Sequence, residues 1–263
     1  MLLLGAAIFL FHAPRVIHSR DDDAVVACYI ERDSPILNDI PDGLCTHYQI
    51  IGQATIDNLG NFVPPLSNIA RDFAKLRKWH KSKPNLLLTI TGTNPTWSRL
   101  TSFDANMKKF ARAVKRCLLK YELQGVDLDW EFPFWSGDGA IWDVEGFSSL
   151  IRILHETLSP HGLLVTAAVS GPPTVTRASY NVSALNEYLD LVFVMNYDFH
   201  VWNKMAPFVG FNAPLNPIWA DRSELKEMNS AASMNTYLSR GLSKAKAVFG
   251  IPVYNLAYEL ANG

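Results

Sequence analysis

The chain has 263 residues, 48% hydrophobic and 19% charged, with a formal net charge of −1. That length and apolar share suit one domain of α/β size with a substantial core, or at most two small ones. Near-neutral charge without a basic run excludes the electrostatic footprint of a nucleic-acid or acidic-membrane binder.

The first stretch, MLLLGAAIFLFHAP, is apolar from Leu2 to Phe11. It reads as the core of an export signal and is too short for a transmembrane helix. Residues 1–19 are therefore assigned to a signal peptide and 20–263 to the domain, with RDDD at 20–23 as its solvated start. No positive residue stands near Met1, and a buried first strand or helix is the alternative.

Strand-like runs follow at 24–30, 46–52, 85–91, 124–131, 163–170, 190–197 and 246–253. Helical patterns lie between them at 66–80, 104–121, 145–158 and 226–240, with shorter candidates at 34–41 and 181–188. This alternation predicts parallel strands joined by crossover helices. NLLLTI, LLVTAAV and LDLVFVM are continuous apolar runs, as strands buried on both faces require. Cys28 and Cys45 sit at the edges of two strand-like runs, near enough in sequence to be bridged, which agrees with an exported chain. Cys117 shares a helical face with Met107, Phe110, Ala111, Val114, Leu118 and Tyr121 and reads as a buried thiol. Asn181-Val182-Ser183 is an N-glycosylation sequon, whereas Asn94-Pro95-Thr96 is excluded by its proline.

The segment 124–133, QGVDLDWEFP, carries the chemistry. Asp127, Asp129 and Glu131 alternate with Val126, Leu128 and Trp130, so a strand presents three acids on one face and an apolar set on the other. A solvated edge strand would explain the acids alone. Acids clustered so that they repel and shift one another's pKa are the alternative. The prominent polar residues, Asp129 and Glu131, then Tyr197 and Asp198, fall at the C-terminal ends of predicted strands. That is where parallel barrels place their sites, and no Gly-rich phosphate loop follows the first strand, so the (β/α)₈ barrel is favoured over a doubly wound sheet. Alternate strand positions lie about 6.6 Å apart. The acids thus cannot flank a sugar from opposite faces, and the nucleophile would have to come from the substrate.

Here the chain resembles the glycoside hydrolase family 18 chitinases, in particular the secreted animal and arthropod type. Their signature DGxDxDxE, followed by an aromatic and proline, reads QGVDLDWEFP in this chain. ACYIE with LCTHY resembles the family's first two strands and their disulfide, Cys28–Cys45. LLLTITG resembles the third-strand segment, MNYDFHVW the sixth-strand M-x-Y-D motif, and VFGIPVY the seventh strand. The resemblance implies a (β/α)₈ TIM barrel and substrate-assisted retaining hydrolysis of β-1,4-linked N-acetylglucosamine. It implies Glu131 as general acid and Asp129 as the residue orienting the substrate acetamido N–H. Asp127 would share a proton with Asp129, and Tyr197 would bond the acetamido oxygen. Asp198, Tyr29 and Met195 would line the sugar site, and Trp97 and Trp202, with Trp135 and Trp142 as weaker candidates, would stack on sugar rings. It also implies a secreted monomer that takes chitin or its oligosaccharides as partner; the seven histidines, scattered without ligand spacing, predict no metal, and no cofactor, nucleic acid or membrane partner is expected. A chitinase-like lectin that binds without cleaving is the alternative.

The pattern departs from the family at four places. Gln124 replaces the first Asp of the signature, Thr89-Ile90-Thr91-Gly92 has lost a glycine, and Gly52 replaces a second-strand aromatic. Seven strands are counted, so the barrel is expected to lack its eighth strand and the tryptophan that strand carries.

Overall fold

The structure, a computed structural model, describes residues 7–10, 24–31, 40–65, 70–79, 81–135, 137–202, 209–219 and 221–258. The strands are β1 (Ala7–Leu10), β2 (Val26–Glu31), β3 (His47–Ile56), β4 (Phe62–Val63), β5 (Asn85–Thr91), β6 (Gly125–Asp129), β7 (Leu164–Ser170), β8 (Leu191–Met195) and β9 (Ala247–Pro252). The α-helices are α1 (Ala70–Trp79), α2 (Asn94–Thr101), α3 (Asp104–Tyr121), α4 (Asp143–Leu158), α5 (Pro173–Ser179), α6 (Val182–Tyr188) and α7 (Ser230–Ser239). Among the described residues no helix is long and apolar enough to cross a membrane.

Seven strands pair in parallel, in the order β2-β3-β5-β6-β7-β8-β9, and curl with the helices into an incomplete TIM barrel. No eighth parallel strand occurs among the described residues. The two edges it would join both pair instead with β1, which runs antiparallel to β2 and to β9. Of the stretch assigned to an export signal, only these four residues lie within the described part, and they have the strand form of the alternative reading.

All seven predicted parallel strands are present. Two helices escaped the sequence reading, α2 and α5, because both are short and open on proline. Proline in the first turn gives up an N–H that a helix start leaves unpaired anyway, so it opens a helix as readily as it breaks one. The candidate helix at 34–41 lies almost wholly outside the described residues.

Strand alternation sorts the side chains into two cores. Cys28, Ile30, Tyr48, Ile50, Leu86, Leu88, Ile90, Val126, Leu128, Trp130, Val165, Ala167 and Val169 point outward and pack beneath the helices. Ala27, Tyr29, Ala168, Phe193, Met195 and Val248 fill the barrel interior. Cys28 and Cys45 are bridged, tying the start of the barrel together, and Cys117 is a buried free thiol as expected. Gly125 is required by space: a Cβ there would lie 2.5 Å from the Leu164 carbonyl oxygen on β7. Gln124, where the family signature has Asp, is a brace at the foot of β6. Its Oε1 accepts from the Leu86 N–H at 3.0 Å and its Nε2 donates to the Glu122 carbonyl at 2.9 Å.

Candidate active site

Parallel register brings the acids together with their partners. Asp127 stands opposite Thr89 on β5 and Thr166 on β7, and in-register neighbours face the same side of a sheet. All three point inward. Thr166 Oγ1 donates to Asp127 Oδ1 at 2.7 Å, Thr89 Oγ1 to Oδ2 at 3.3 Å, and the Tyr29 hydroxyl to Oδ2 at 2.8 Å. Asp127 is fully buried, and burial pushes its carboxyl up to about 6 although the three hydroxyls pull the other way.

Asp129, one layer higher, is partly buried, with Oδ1 enclosed and unpaired in the structure. Its side chain hydrogen-bonds to Glu131, and burial, the Glu131 charge and the Asp127 charge raise its pKa well above the carboxylate range. Glu131 opens to solvent just beyond the end of β6. It is raised as well, chiefly by desolvation among the atoms of the wall and further by Asp198, while the bond from Asp129 pulls it down. The bond thus favours a proton resting on Asp129 and accepted by Glu131. Asp129 is hydrogen-bonded to Glu131, while the two oxygens of Asp127 accept from the threonines and Tyr29.

Tyr197 follows β8 and packs on the interior cluster, and its hydroxyl is raised by burial and by the charge of Asp129. Its ring meets Tyr254 edge to face at 5.9 Å. Asp198 is exposed beside it in the left-handed region, φ 58°. It is held by the Tyr254 hydroxyl, 2.7 Å from its Oδ1, and by Asn212 Oδ1, which accepts its N–H at 3.0 Å.

Three residues expected to contact sugar have little or no exposed surface. Trp97 has no exposed surface, because it lies on the inner face of α2 and stacks on Trp130 at 5.3 Å. Tyr29 is 4% exposed and serves Asp127 through its hydroxyl. Met195 is 8% exposed and packs in the barrel interior. Trp202 and Trp135 are about half exposed, as is Trp142, whose indole N–H is pinned to the Ser98 carbonyl at 3.0 Å. Asn181 is exposed and caps α6. Tyr254, Thr89 and Thr166 were missed. Tyr254 sits just past a strand end and was within reach of the same rule that found Tyr197, but the two threonines needed the register.

The buried acid has a sign that can be measured. Folded Asp127 holds its proton up to about pH 6, whereas an unperturbed aspartate releases it near 3.8, so between these the native state binds more protons than the unfolded one. Stability from this group is therefore greatest below about pH 4 and falls as pH rises through 6. At 1.36 kcal/mol per pH unit the fall is about 3 kcal/mol. Urea unfolding at pH 4 to 7 should show that slope in the native sequence and lose about that much of it in Asp127→Asn; equal slopes would refute the assignment.

The family model for glycosyl hydrolases family 18 matches residues 25–263. Probable chitinase 10 of Drosophila melanogaster is 31% identical over 236 residues, covering 85% of this chain and 10% of that protein. The endochitinase of Brugia malayi is 31% identical over 235 residues, covering 85% of this chain and 46% of that protein. Among solved structures, catalytic domain 2 of the Ostrinia furnacalis Group II chitinase superposes with a TM-score of 0.75 at 26% identity, covering 85% of this chain and 62% of that one. The chain thus spans half or less of these curated relatives. With the acid strand, the M-x-Y-D turn and the parallel barrel all in family order, the chain belongs to glycosyl hydrolases family 18.

Proposed function

We propose that the chain hydrolyses β-1,4 linkages between N-acetylglucosamine units by a retaining, substrate-assisted route. The observation that carries this reading is the hydrogen-bonded Asp129–Glu131 pair, both pKa values raised, at a barrel mouth beside Tyr197. Two facing carboxyls with one proton between them supply an acid and a base from the same site. When a substrate acetamido N–H approaches, the proton passes from Asp129 to Glu131 and the Asp129 carboxylate accepts the N–H. Glu131 then passes the proton to the glycosidic oxygen as that bond breaks. The acetamido oxygen, held by the Tyr197 hydroxyl, attacks the anomeric carbon and forms an oxazolinium ion. Water activated by the resulting Glu131 carboxylate opens the ring and returns the proton.

The test is release of fluorophore from a fluorogenic chitotriose by the 263-residue chain. A second reading is a sugar binder without turnover. It is favoured by the barrel wall, where β1 rather than a parallel strand lies between β9 and β2. Oligosaccharide binding by calorimetry without fluorophore release would select it, and neither would sink both.

The Cys28–Cys45 bridge and the exposed sequon support an exported, N-glycosylated chain. Material collected from the medium of eukaryotic cells should lose mass on treatment with an N-glycan amidase. Asn181→Gln should already run at the lower mass; native material unaffected by the amidase would count against the glycan.

A further inference from the structure

The segment that carries Glu131 is fastened from outside the barrel by one amide. Asn94 opens α2, directly after β5, and is 8% exposed. Its Oδ1 accepts the Trp130 indole N–H at 2.6 Å, and its Nδ2 reaches the Glu131 carbonyl oxygen at 3.4 Å and Asp138 Oδ1 at 3.3 Å. Those three groups are the residue before Glu131, Glu131 itself, and the loop that returns from it. The Trp130 ring adds to the hold, stacked on Trp97 and meeting Phe147 edge-on at 5.9 Å.

We propose that Asn94 is a positioning residue for Glu131, acting through the Glu131 backbone carbonyl rather than through substrate. Strand β6 ends at Asp129, so Glu131 lies past the ladder and its backbone has lost the sheet's support. A short carboxyl side chain on unsupported backbone would swing by an ångström or more, and misplacement on that scale costs on the order of 10²-fold in rate. Asn94 suits the task because a single planar amide offers an acceptor to the indole and donors to two oxygens. The role assigned to Glu131 rests on the hydrolytic reading, but the position of its carboxyl can be read without turnover.

The experiment compares Asn94→Ala with Trp130→Phe in the 263-residue chain. The second variant keeps an aromatic ring against Trp97 and keeps the Asn94 bond to the Glu131 carbonyl, while deleting the indole donor. Glu131 is titrated by carboxyl ¹³C resonance, assigned by its absence in Glu131→Gln, alongside kcat, KM and thermal unfolding. Asn94→Ala should let the Glu131 carboxyl swing away from the wall atoms that desolvate it. Its titration should fall toward the ordinary range, and kcat should drop roughly 10- to 100-fold with KM nearly unchanged. The basic limb of the pH–rate profile should move to lower pH. Trp130→Phe should lower the melting temperature and leave the Glu131 titration as in the native chain. Should Asn94→Ala not fold, Asn94→Ser carries the same comparison.

Unchanged Glu131 titration in the Asn94 variant would overturn the proposal, as would equal shifts in both variants, which would mark a general loss of stability. A loss confined to KM would make Asn94 a substrate contact instead and overturn it too. If the native chain turns nothing over, the hydrolytic reading fails while the titration still decides the role of Asn94.

Discussion

Glu131→Gln is expected to lower chitotriose turnover by roughly 10²–10⁴-fold, the range that a positioned general acid contributes. The amide has the shape of the acid and no transferable proton, so the leaving oxygen departs unprotonated while the mouth keeps its form. Binding should survive. Glu131 lies in the open, so the exchange buries no new group, and Trp202, Asp198 and Tyr197 are untouched. Calorimetry with an unlabelled oligosaccharide should return an affinity within a few-fold of the native value. The exchange also removes the Glu131 charge that helps raise Asp129, so Asp129 should titrate lower in the variant. Turnover retained in Glu131→Gln would refute Glu131 as the acid, and lost binding would move its role to the substrate.

Trp130→Ala is expected to have the largest effect on stability, about 3–5 kcal/mol, the usual cost of emptying a large aromatic site in a core. Trp130 is 1% exposed between Trp97 and Phe147, and these neighbours belong to α2 and α4, so a cavity there separates two helices from β6. Asn94 Oδ1 also loses its indole donor. At ~2–4 °C per kcal/mol for a chain of this size, melting should fall by roughly 10 °C. Trp97→Ala should cost a similar amount, and the double variant less than the sum, since the two rings share one contact. Trp135→Ala, on a half-exposed ring, should stay within about 0.5 kcal/mol. Denaturant unfolding decides this; a loss under 1 kcal/mol for Trp130→Ala would show that the stack is not part of the core.

Both predictions concern neighbouring residues at the end of one strand, and their contrast was legible before any coordinates. Alternation alone separates Trp130 from Asp129 and Glu131, because a strand has two faces and these residues differ in parity. The seven parallel strands were legible for the same reason, since long β-branched and leucine runs between amphipathic stretches admit few other readings. Helix α2 was not, because Asn94-Pro95 is as good a turn as a helix start until the rest of the fold offers Trp97 a core. That misreading carried Trp97 into the sugar site. Tyr29 does face the barrel interior, and its hydroxyl donates to Asp127, a bond that alternation alone does not give.

From sequence alone follow the spacing of the three acids, the parallel barrel class, the Cys28–Cys45 bridge through its family resemblance, and the outward packing of Val126, Leu128 and Trp130. These are local or periodic properties, written in residues near one another along the chain. The tertiary structure decided that Asp129 bonds to Glu131, that Thr89, Thr166 and Tyr29 hold Asp127, that Tyr254 holds Asp198, and that Asn94 reaches the Glu131 carbonyl. Each joins residues brought together only by strand register or by closure of the barrel wall, and a hydrogen bond of 3 Å is decided by that register rather than by separation in sequence.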